Sequence, residues 1–75
     1  MEIPILIRYR LSDELGDRVY ELTTCVPEEV ACSLIDNGEE SEFFPFAERL
    51  VDAMAALCGY DCGAVLEILE VAHYA

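Results

Sequence analysis

The chain has seventy-five residues, with sixteen acids, four arginines and no lysine, and a formal net charge of −12. Such a surface repels nucleic acid and anionic membranes, which excludes direct binding to either and favours basic partners. Hydrophobic residues make up 55% of the chain, which excludes disorder and predicts one compact domain over residues 1–75 with a radius of gyration of ~11 Å.

A domain this small buries only about 60% of its unfolded surface, so part of the apolar content must stay outside, on a covered patch or in a homodimer. The charge is also uneven. Residues 1–18 carry Arg8, Arg10 and Arg18 against Glu2, Asp13, Glu14 and Asp17, whereas residues 19–75 set Arg49 alone against twelve acids. One nearly neutral end and one strongly negative end are expected. The start, Met1-Glu2-Ile3-Pro4-Ile5, has no basic stretch before an apolar run, so it does not read as a secretory signal. The longest uncharged run, within Ala53–Tyr60, is far short of a membrane span. The expected location is the cytoplasm of a bacterial cell, with the four cysteines reduced.

Ile3, Ile5, Ile7, Tyr9 and Leu11 alternate with Pro4, Arg8 and Arg10, a period of two that predicts a half-buried strand. The polar loop Ser12–Asp17 follows, with Gly16 available for a left-handed backbone position. Arg18–Val26 reads as the second strand of a β-hairpin, with Tyr20, Leu22, Thr24 and Val26 on one side. Pro4 cannot donate to a ladder, which hints that the first strand lies at an edge.

Pro27-Glu28-Glu29 opens a short helix, with proline at its first position and acids against the positive dipole end. Val30, Ala31, Leu34 and Ile35 form its apolar stripe, and Asn37-Gly38 stops it. An acidic loop, Asp36–Glu42, leads into the longest helical stretch, Phe43–Cys58. There Phe43, Phe46, Leu50, Met54 and Leu57 step by three or four and are expected to form the core face. Glu48 and Asp52 belong to the outer face, and Ala53, Ala55 and Ala56 are small flanks suited to close approach.

For Ala64–Tyr74 the periodicity of Val65, Ile68, Leu69 and Ala72 favours a helix. A strand fits only if a bulge absorbs the change of parity between Glu67 and Glu70. A two-stranded hairpin alone is weak, however, and a third strand would complete the sheet. The expectation is therefore an α+β fold, ββααβ, a small antiparallel sheet with helices on one face. A third helix at the C-terminus is the alternative.

The chemistry-bearing groups are few. Cys58 and Cys62 are separated by three residues, but Cys25 and Cys32 make a poor second pair for tetrahedral zinc, so packing is the expected role of the cysteines. The spacing also misses a two-residue redox motif. Counting a calcium loop from Asp36 puts glycine at position three and Ala47 at position twelve, so the register fails. The one histidine, His73, lies near a terminus without an evident nucleophile to activate. No catalytic residue, metal ligand or cofactor is assigned, and an enzyme is not expected.

What remains is the acidic surface: Asp36, Glu39, Glu40 and Glu42, with Glu28 and Glu29 one helix away and Glu48 and Asp52 beyond. Such a cluster keeps an apolar-rich protein soluble. It also suits a basic host protein or nucleoprotein complex, whose association it would accelerate. In size and charge, though in no motif, the chain is similar to anti-CRISPR and anti-restriction proteins. The expected function is a phage- or mobile-element-encoded inhibitor, a DNA mimic in character, that blocks a basic nucleic-acid-holding surface. The alternative is a homodimerising accessory protein with an apolar contact through the hairpin edge and the alanine flank.

Overall fold

A computed structural model describes residues 1–14, 16–57 and 65–74. Their order is β1 (Glu2–Asp13), β2 (Gly16–Pro27), α1 (Glu28–Asn37), a 3-10 turn (Gly38–Glu40), α2 (Phe44–Leu57) and β3 (Val65–His73). The three strands form one antiparallel sheet in the order β2-β1-β3. This is the expected ββααβ arrangement, with the C-terminal segment a strand rather than a helix.

The hairpin forms because its two halves alternate in phase. Ile3 faces Val26, Ile5 faces Thr24, Ile7 faces Leu22, Tyr9 faces Tyr20 and Leu11 faces Arg18. Directly opposed residues share a sheet face, so one face of the hairpin is apolar along most of its length. Asp13 pairs with Gly16 across a two-residue connection. Gly16 takes φ +121°, a region that side chains disfavour. The tyrosine rings of Tyr9 and Tyr20 stack with centroids 5.8 Å apart.

Pro4 corrects one expectation, since β1 is the central strand. Tyr74 N donates to the Pro4 carbonyl at 3.2 Å. In an extended strand the N–H and C=O of one residue point the same way, so the missing donor of Pro4 faces β3. The β1–β3 register begins only at Ile5, opposite His73. The proline therefore sits where that ladder runs out.

The strand β3 contains the irregularity that its sequence requires. Arg8 faces Glu70 and Tyr9 faces Ile68, which leaves Leu69 as an extra residue. Glu67 and Glu70 are three apart and would fall on opposite faces of a regular strand. The bulge puts both on the outer face and leaves Leu66, Ile68 and Val71 packed against the core.

Helix α1 begins one residue later than expected, because Pro27 ends β2 and caps the helix. Glu28 N donates to the Met1 carbonyl at 3.0 Å, tying the helix start to the chain start. Gly38, at φ +56°, closes it and donates its N–H to the Leu34 carbonyl. Val30, Ala31 and Leu34 are buried, as their spacing predicts.

Helix α2 is turned from the expected face. Ala47, Val51 and Ala55, at i, i+4 and i+8, are its buried residues, whereas Phe46 and Leu57 are exposed. Phe43, Leu50 and Met54 lie beside the core, only partly buried. Small residues on the central line let the helix approach its neighbours, and the bulky ones seal the margins. The buried stripe thus lies one residue on from the line of bulky side chains at Phe46, Leu50 and Met54. Ala55 is in the contact, but Ala53 and Ala56 face outward.

The radius of gyration over the described residues is 12.4 Å, with extents of 39 × 21 × 17 Å. It exceeds the value for a compact sphere because a twelve-residue hairpin is itself ~40 Å long. Among the described residues no helix is long and apolar enough to cross a membrane.

Candidate functional site

All eight acids singled out in the sequence are exposed: Glu28, Glu29, Asp36, Glu39, Glu40, Glu42, Glu48 and Asp52. Each belongs to the layer of chain that runs from α1 through α2. Glu28 and Glu29 occupy the first turn of α1, where the helix dipole favours them. Asp36 lies at the opposite, negative end, and no basic residue occupies that last turn. Glu39 and Glu40 follow in the 3-10 turn, and Glu42 precedes α2. Glu48 and Asp52 are one helical turn apart on α2, a like-charge spacing that costs a few tenths of a kcal/mol. Within residues 28–57 only Arg49 opposes the eight, a net of −7. None of the eight forms an ion pair among the described residues.

The turn that carries Glu39, Glu40 and Glu42 is anchored beneath. Ser41 is buried, its hydroxyl lies 2.6 Å from that of Ser33 on α1, and Phe43 N donates to Ser41 Oγ at 3.1 Å. Phe44 N donates to the Ser41 carbonyl at 3.1 Å, which starts α2. One small polar residue thus joins both helices and holds the acidic turn above them. The sequence reading passed over Ser41; its signal was a lone hydroxyl residue among acids just ahead of an apolar helix.

The outer face of the sheet is built differently. Arg8 contacts Glu21 of β2 at 3.1 Å and Glu70 of β3 at 3.6 Å, and Arg10 contacts Glu67 at 2.6 Å. Two of the four arginines are thereby held against acids on the face away from the helices. The charge is divided between faces as well as along the chain: the expected neutral and negative ends become a charge-paired sheet face and an unpaired helical layer.

Cys25 and Cys32 are exposed free thiols rather than packed side chains, so the expectation of burial fails for these two. Cys58 and Cys62 lie outside the described residues. Among the described residues no group of three or more histidine, cysteine or carboxylate side chains is placed to hold a metal ion. His73, the one histidine, is exposed near the end of β3. Compared with protein-family models, curated proteins and solved structures, the chain matches none.

Proposed function

We propose that this protein acts by binding, as a small inhibitor that lays its acidic helical layer against a basic, nucleic-acid-holding surface of a host defence or nucleic-acid-handling complex. It carries out no catalytic step in this reading, and a phage or mobile element is its expected source. The observation that carries the reading is the division of charge: eight exposed acids without ion pairs among the described residues on the helical layer, while Arg8 and Arg10 are held on the opposite face.

Solubility alone does not call for that division. Duplex DNA presents one charge per ~1.7 Å of axis, so a competitor needs carboxylates spread along a surface. Helix α1 separates Glu28 from Asp36 by about 12 Å along its axis, and Glu39, Glu40 and Glu42 follow in the turn between the helices.

The test is competition. A complex captured by this protein, loaded with labelled DNA or RNA, should release the nucleic acid as the protein is added, and release should weaken as salt rises. Simultaneous binding of protein and nucleic acid would contradict the reading.

A further inference from the structure

The two edges of the sheet differ in how they are protected. β3 is nine residues long, is bent by the bulge at Leu69, and carries Glu67 and Glu70. β2 is twelve residues long and is regular throughout its pairing with β1, with proline only at its last position. Native edges are usually blunted by bulges, prolines, charged side chains or short length; β2 has no bulge and no proline along its middle, and its charges are Asp17, Arg18 and Glu21.

Register identifies which of its backbone groups face outward. The Pro4 carbonyl points toward β3, so the even-numbered residues of β1 address β3 and the odd-numbered ones address β2. The odd residues of β1 pair with even residues of β2. The N–H and C=O groups of Asp17, Val19, Glu21, Thr23 and Cys25 therefore point away from β1, along an edge that no described strand covers.

We propose that this edge pairs with β2 of a second copy of the chain, antiparallel and centred on Leu22, to give a continuous six-stranded sheet. Outward-facing groups fall only on odd residues, so facing positions in a two-fold pair must sum to an even number. The two registers with the longest overlap are centred on Glu21 and on Leu22. The first sets Glu21 against its own copy and is rejected by like charge. The second sets Glu21 against Thr23, Val19 against Cys25 and Asp17 against Pro27, with Leu22 meeting Leu22 on the core side. It also brings Arg18 beside Val26 of the other copy on the helix-side face, two residues from Glu28 and three from Glu29 of the α1 first turn. No like charges are directly opposed. Both helical layers then lie on one side of the joined sheet, since the two-fold axis is perpendicular to it. The pairing is independent of the inhibitor reading, and either can fail alone.

The test is the mass of the intact chain in solution, by light scattering or sedimentation at high micromolar concentration. The expected mass is twice the 8.4 kDa of one chain. Thr23→Pro removes an outward N–H and spares the ladder to β1, so it should give a folded protein of single-chain mass. A second pair of variants reads the register without touching the backbone. Thr23→Glu faces Glu21 twice across the dyad and should weaken dimerisation by roughly tenfold, whereas Thr23→Lys should strengthen it by a similar factor. A single-chain mass for the native protein overturns the proposal. So does a dimer that a folded Thr23→Pro variant retains, or one that Thr23→Glu and Thr23→Lys affect alike.

Discussion

The two faces of this molecule use the same residue type for different ends. On the outer face of the sheet, Glu21, Glu67 and Glu70 are set against Arg8 and Arg10, and the three contacts tie both edge strands to the central one. On the helical layer, eight acids have no such partners among the described residues. Asp36 even lies at the helix end where a negative charge is unfavourable. Three of the four bases, Arg8, Arg10 and Arg18, lie on the sheet strands, which leaves Arg49 alone among the eight acids of the helical layer.

The sharpest way to break this comparison is to reverse charges on each face and ask what is lost. Replacing Glu39, Glu40 and Glu42 by lysine changes the net charge from −12 to −6. It should lower partner affinity by about 10²-fold, because steering and complementarity are lost together. The fold should persist, since these side chains are exposed, and a urea transition would show it. The next effect is structural. Ser41→Ala removes the contact to Ser33 and the acceptor for Phe43 N, and should cost about 1–2 kcal/mol, read as a lower urea midpoint. If the acidic turn must be held in place to bind, this variant weakens partner affinity as well.

On the other face, Arg8→Met breaks two contacts that are each about half exposed. Exposed ion pairs contribute little, so a loss of about 0.5 kcal/mol is expected, shrinking further in high salt. Partner binding should not change. The smallest effect has the opposite sign. Asp36→Lys places a cation at the negative end of α1 and should raise stability by about 0.5 kcal/mol, measured by thermal or urea unfolding. A helical layer made only for folding would not keep an acid there, so a gain in stability with a loss of binding sharpens the contrast between the faces.

Much of the fold was legible because short-range patterns and global fold agree. The isoleucines of β1 at period two and the stop at Asn37-Gly38 each have one local solution, and the structure adopts it. Local periodicity, by contrast, favoured a helix for the C-terminal segment, and only the sheet's need of a third strand pointed to the bulged strand that forms. Two features were not legible for a common reason. The face of α2 depends on what it packs against, and the alanines at 47 and 55 look like poor core residues until a close neighbour makes small size an advantage. Pro4 looks like an edge residue until one knows that the β3 ladder begins one position later. The exposure of the acids was readable, but their lack of partners was not, because it follows from β3 bringing Glu67 and Glu70 to the arginines.

The central claim is that the acids of the helical layer are a contact surface, and the most direct measurement is a paired capture from host lysate. Tagged native protein and the Glu39, Glu40 and Glu42 lysine variant are run side by side, eluted by a salt step and identified by mass spectrometry. The account predicts a nucleic-acid-binding complex that the native protein retains, that moderate salt releases, and that the variant fails to hold. Equal retention of that complex by both proteins would contradict it and leave the acidic layer a solubility device.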